Sequence, residues 1–148
     1  MAHELGKKLI ASGKAESADF NSVAWNSLFT GQTTQEDLDI ATKGSQMNQN
    51  NTSMLHTLAC VHAELGKTKE AREVLIQAMD LLNLDEPNSD YWYAFGRIAE
   101  QYGETEVARA DYQQAKRPKK AAQVPSSSYQ LAKNRLAGMP NGTVPSSR

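Results

Sequence analysis

Apolar residues recur at helical spacing through most of the chain. Phe20, Val23, Ala24, Ser27 and Leu28 fall three and four residues apart, which predicts one apolar helix face beginning near Ser17. Ser17 or Asp19 can cap that helix, and Gly31 can end it in the left-handed conformation. Thr33-Thr34-Gln35-Glu36 reads as a capping box that opens a second helix, carrying Leu38, Ile40, Ala41, Gly44 and Met47 into the turn Gln49-Asn50-Asn51. The same periodicity predicts helices over about 53–65, 68–82, 89–102 and 105–116, with Pro87 and Asn88 or Ser89 marking the start of the fifth. Pro118 and Pro125 break the chain before a last helix near 127–137, which carries Tyr129, Leu131, Ala132 and Leu136 and stops at Gly138. At the start, Gly6 and Gly13 interrupt the only apolar cluster, Leu5, Leu9 and Ile10, so residues 1–16 are expected to be a flexible or loosely packed lead-in. The Pro/Gly/Ser-rich stretch 139–148 is expected to be a disordered tail.

Two of these helix pairs share one pattern. LHTLACVHAELGKTKEAREVLIQA aligns with WYAFGRIAEQYGETEVARADYQQA, so that Leu55 falls on Trp92, Leu58 on Phe95, Ala59 on Gly96 and Gly66 on Gly103. Ala71-Arg72 falls on Ala108-Arg109, Leu75 on Tyr112 and Ala78 on Ala115, each pair 37 residues apart. Phe20, Val23-Ala24, Gly31, Thr33 and Gly44 repeat the series more loosely, with one extra residue in the second helix. A period of this size signals stacked helix-turn-helix units. It divides the chain at about 17–51, 52–88 and 89–117, followed by a linker and capping helix over 118–138. The extension Asp80–Asn88 accounts for a period longer than the usual 34 or so.

The series Trp92, Phe95-Gly96, Ala99, Gly103, Ala108, Tyr112, Ala115 resembles the tetratricopeptide repeat family. Leu55, Leu58-Ala59, His62, Gly66, Ala71, Leu75 and Ala78 follow it with departures at Leu55 and His62, where the family is usually aromatic. The first unit departs most, with Asp37 or Leu38 in place of alanine. The resemblance covers about residues 17–117 and implies an all-α, right-handed superhelix of three hairpins plus a C-terminal capping helix. Small residues at fixed offsets let paired helices approach, and large ones fill the space between units. The phrasing is also similar to repeat regions near the C-terminus of larger bacterial proteins, which implies a module belonging to a longer chain.

In this family the first helices line a concave groove. Projecting their non-core positions gives Asn21 and Trp25 from the first unit, with Phe29 beside them. The second unit gives Ser53, His56, Cys60 and Glu64, and the third Asp90, Tyr93, Arg97 and Gln101. Trp25, Tyr93 and Arg97 are residue types that anchor interfaces. Two bland alternatives stay open: Trp25 packs on residues 1–14, or Tyr93 packs on the next helix. Trp92 and Phe95 are expected to supply the core face, which leaves Tyr93 and Arg97 for the groove. Family members that hold a chaperone's C-terminal carboxylate do so with lysine, asparagine and arginine. Here the corresponding positions hold Asn21, Trp25, Thr57, Asp90 and Ala94, and Asp90 would repel a carboxylate.

Composition adds exclusions. The 148 residues carry a formal net charge of −1 and a pI near 6.3, with no global pull toward nucleic acid or anionic membrane. No apolar run is long enough to span a bilayer, and the single cysteine, Cys60, fits a reducing, cytoplasmic location. His56 and Cys60, four residues apart, share a helix face but lack a third metal ligand or an orienting carboxylate. His62 is expected in an aromatic core position, and no phosphate-cradling glycine loop is present. Lys116, Arg117, Lys119 and Lys120 read as a solvated helix end placed at the negative pole of the dipole. The resulting expectation is a monomeric, non-catalytic protein-interaction module with a protein or peptide partner, no cofactor, no metal and no nucleic acid. The alternatives are a packing or self-association unit of a larger protein and, from another class, a nucleic-acid adaptor using residues 116–120.

Overall fold

A computed structural model describes residues 2–116 and 126–139, with side chains from residue 4. Among the described residues every regular element is helical: α1 (Ala2–Ala11), α2 (Ser17–Thr30), α3 (Gln35–Met47), α4 (Thr52–Glu64), α5 (Thr68–Leu81), α6 (Ser89–Gln101), α7 (Thr105–Gln114) and α8 (Ser128–Ala137). Consecutive helices pack in pairs, α2 on α3, α4 on α5 and α6 on α7. The first members also pack on one another, α2 on α4 and α4 on α6, and α8 lies against α6 and α7. Of the expected linker and capping helix over 118–138, residues 118–125 lie outside the described residues, as do residues 140–148 of the expected tail over 139–148.

Local chemistry fixes the turns. Gly31, Gly66 and Gly103 each take a φ between 73° and 82°, the left-handed conformation that ends a helix without a Cβ penalty. α5 ends differently: Asn83 takes the left-handed position at φ 54°, and Leu84 N–H reaches back to Met79 O at 3.0 Å. Asn51 and Asn88 cap α4 and α6 by accepting from Met54 N–H and Tyr91 N–H. The capping box of α3 sits one residue later than the sequence suggests. Thr34, not Thr33, is the cap, and Asp37 rather than Glu36 closes the box, its carboxylate accepting from Thr34 N–H at 2.9 Å. That explains how an acidic residue tolerates a position that is only 1% exposed.

The lead-in requires a correction. Residues 2–11 form a helix, and α1 packs on α2. A Cβ on Gly6 would run into Val23 Cγ2, so Gly6 is the close-approach residue of this contact rather than an interruption. Gly96 has the same role in the third pair: a Cβ there would lie 2.6 Å from the Tyr112 ring. The core runs continuously from Phe20 and Val23 through Leu55, Leu58 and Leu75 to Tyr93, Tyr112 and Leu131. His62, expected in the core, is half-buried, and its Nδ1 has no hydrogen-bond partner among the described residues.

Candidate functional site

A cavity of about 310 Å³ opens where α2, α4 and α6 lie side by side. Asn21, Ser22 and Trp25 contribute from α2, and Thr52, Ser53, His56 and Thr57 from α4. Asn88, Asp90 and Tyr91 come from the start of α6, and Leu82 closes one end. An aromatic row crosses the three helices. Trp25 lies 5.6 Å from His56, and His56 lies 5.1 Å from Tyr91, ring centre to ring centre. Trp25 also meets Phe29 edge to face at 5.9 Å, and its Nε1–H donates to Ser126 O at 2.8 Å, just ahead of α8. Trp25 therefore bridges α2, α4 and the residues just ahead of α8.

His56 holds α4 to α6. Its Nε2 lies 2.8 Å from Asp90 O, and a carbonyl can only accept, so Nε2 carries the hydrogen. Burial lowers the His56 pKa below the usual value of 6.5, which keeps the ring neutral. Cys60 Sγ sits 3.6 Å from the same nitrogen and is fully buried, and burial pushes the thiol well above its ordinary range. A thiol in that setting is a packing group, since the reactive species is the thiolate. Among the described residues no three of His, Cys, Asp and Glu converge as metal ligands.

Five of the ten expected groove residues, Asn21, Trp25, Ser53, His56 and Asp90, meet at this cavity. The other five do not. Cys60 lies beneath His56. Tyr93 is 1% exposed and stacks on Tyr112 at 5.9 Å, and burial raises its hydroxyl well above the ordinary range. Arg97 is 8% exposed and grips Glu64 with two hydrogen bonds, Nε to Oε1 at 2.9 Å and Nη2 to Oε2 at 3.1 Å. Gln101 Nε2 donates to Ala63 O at 2.9 Å. Beyond the first turn of α6, these positions form the α4–α6 seam and not an open groove floor. Trp92 and Phe95, expected on the core face, are half-buried instead. With Pro87, Tyr102 and Val107 they line a second, apolar cleft of about 490 Å³ between α6 and α7.

Sequence reasoning missed Tyr91 and the charged ladder behind the seam. Three successive aromatics, Tyr91-Trp92-Tyr93, cannot share one helix face, so a signal for Tyr91 was present. The ladder had none, because its members come from separate helices. Glu100 accepts from Tyr112 Oη at 2.6 Å and from Arg135 Nε at 3.0 Å, and lies 3.4 Å from Arg97 Nη1. Burial opposes the Glu100 charge, but the hydrogen bonds of Arg135 and Tyr112 outweigh it and hold the carboxyl below its usual range.

Residues 52–81 match the family model described as tetratricopeptide repeat, a span that begins with α4 and ends with α5. This span is therefore similar to a tetratricopeptide repeat, a likeness that points to a protein-interaction or scaffold module. No curated protein and no solved structure matches the chain. Among the described residues no helix is long and apolar enough to cross a membrane.

Proposed function

We propose that the chain is a non-catalytic protein–protein interaction module built of three tetratricopeptide-like hairpins, α2–α3, α4–α5 and α6–α7, wound into a right-handed superhelix and capped by α8. Its units run over about 17–51, 52–88 and 89–117, and it takes a peptide or protein segment in the groove formed by α2, α4 and α6. The observation that supports this reading is the polar, aromatic-walled cavity at which those three helices meet. Its volume lies at the lower end of the range of about 300–1,000 Å³ typical of ligand pockets. Ser53 offers the test, because it is exposed on the cavity wall and takes no part in the core. Ser53→Arg should fill the cavity, abolish capture of a partner from native lysate and leave thermal unfolding unchanged. Capture that persists in Ser53→Arg places the binding surface elsewhere.

A second reading has an observation of its own. The apolar cleft beside Trp92 and Phe95 carries Tyr102 at 63% exposure and Val107 at 51%. Such a surface suits packing against another domain or a second copy. Sedimentation over a wide concentration range separates the two readings, since self-association through the cleft should be lost in Tyr102→Lys. The nucleic-acid reading rests on residues 116–120, of which only Lys116 lies among the described residues. Binding that falls steeply with salt would be its signature.

A further inference from the structure

We propose that the cavity between α2, α4 and α6 selects a cationic side chain, lysine or arginine, presented by an extended peptide. This rests on the groove reading above and adds the chemistry of the occupant. Among the described residues Asp90 carries the only formal charge in the lining, because His56 is neutral and no described lysine or arginine lines the cavity. The Asp90 side chain is exposed and forms no ion pair among the described residues. The nearby arginines are committed elsewhere, Arg97 to Glu64 and Arg135 to Glu100. Trp25 and Tyr91 line the same cavity as Asp90, on either side of His56, and indole and phenol rings attract a cation. An aromatic wall with one unpaired carboxylate is the arrangement that binds an ammonium or guanidinium group.

One feature argues the other way. The N-termini of α4 and α6 open on the cavity, and helix N-termini favour anions. Their caps answer it: Asn51 and Asn88 already occupy N–H groups of the first turns, and Asp90 offsets the dipole of α6. A carboxylate entering here would meet Asp90 with no compensating cation among the described lining residues.

The test is a titration of the 15N-labelled full chain with four decapeptides, identical and uncharged apart from a central lysine, arginine, norleucine or glutamate. The Trp25 indole N–H and the amides of Ser53 and Asp90 report on the cavity. Lysine and arginine peptides should shift these signals, with norleucine and glutamate about five- to tenfold weaker. Asp90→Asn, a near-isosteric change, should bring the lysine peptide down to the norleucine level while leaving the remaining spectrum in place. Equal binding of norleucine and lysine, tighter binding of glutamate, or indifference to Asp90→Asn overturns the cation assignment while the groove reading stands. If no peptide moves the cavity signals, the assignment also falls, and the Ser53→Arg capture experiment then decides the groove reading separately.

Discussion

Leu58 and Phe95 hold equivalent places in two hairpins offset by 37 residues, yet Leu58 is 6% exposed whereas Phe95 is only half-buried. The same contrast separates Leu55, 4% exposed, from Trp92. The difference comes from what precedes each hairpin. Residues 48–51 join α3 to α4 by a short turn, and α3 packs closely on α4. The longer connector, residues 82–88, carries the left-handed Asn83 and Pro87, and it leaves the 490 Å³ cleft beside Trp92 and Phe95. Equivalent sequence positions thus share a place on the helix without sharing an environment. Burial is decided by the neighbouring hairpin.

Alanine at the two equivalent positions tests this most directly. Leu58→Ala removes a side chain enclosed on all sides and should cost about 2–5 kcal/mol. Phe95→Ala removes a larger side chain, but one already partly in water, and should cost roughly 2 kcal/mol, well short of the 3–5 typical of a fully buried aromatic. Urea unfolding measures both. Equal losses would mean that the cleft closes in solution and that the two hairpins are alike.

A smaller effect is expected at the small residues of the same two helices. Gly96 and Ala59 are equivalent, but a Cβ at Gly96 would lie 2.6 Å from the Tyr112 ring, whereas the second hairpin has the smaller Leu75 at the position of Tyr112. Tyr112 is pinned by its hydrogen bond to Glu100 and its stack on Tyr93, so it cannot step aside. Gly96→Ala should therefore destabilise by about 1–3 kcal/mol, against the usual helix-propensity gain. Ala59→Gly should lose about 1 kcal/mol through backbone freedom and a lost methyl. A stabilised Gly96→Ala variant would show that α6 and α7 have room to separate.

The positions legible from sequence are the ones set within a single hairpin. The glycine turns, the Leu75 and Tyr112 positions and the helix of residues 128–137 follow from spacing alone, because each is fixed by contacts a few residues away. Asp37 and Gly6 were illegible for the opposite reason. Each looks like a defect in an isolated pattern and acquires its role only from a partner, Thr34 for one and Val23 for the other. The groove divides along the same line. Asn21, Ser53 and Asp90 sit near helix starts, where α2, α4 and α6 diverge enough to leave a cavity. Tyr93 and Arg97 project on the same side, but farther along, where α4 and α6 close on each other. Periodicity gives the direction of a side chain and carries no information on how far apart two helices lie.

The seam itself can be loosened by pH. His56 is buried neutral, with a pKa lowered from 6.5 mainly by desolvation, and burial shifts His62 the same way. The unfolded chain binds protons that the folded chain refuses, so stability rises with pH across that interval. The contribution is fully present above about pH 6.5 and is lost as pH falls toward the depressed folded values. The melting temperature should therefore drop between pH 7.5 and 5.5, and His56→Gln should flatten that slope while His62→Gln flattens it less, since His62 is only half-buried. An unchanged slope in His56→Gln removes His56 from the seam.

The smallest expected effect lies at the far end of the same comparison. Ala63 and Glu100 are equivalent positions, the first fully buried beneath α6 and the second a carboxylate that receives Arg135 from α8. Among the described residues α8 takes the place beside Glu100 that α6 takes beside Ala63, and it brings a guanidinium to that contact. Arg135 is more than a third exposed, so water screens the pair and its contribution is on the order of 1 kcal/mol. Glu100→Gln should hardly move global unfolding, yet it should lower hydrogen-exchange protection of α8 by about fivefold while α4 and α5 keep theirs. Acid should do the same to the wild-type chain. The Glu100 carboxyl titrates below its usual range, so its contribution is present above about pH 4.3 and is lost as pH falls through the depressed folded value. Protection that falls equally in α8 and α4 would mean that the tether belongs to the whole stack, and the last hairpin would then differ from the middle one in its cleft alone.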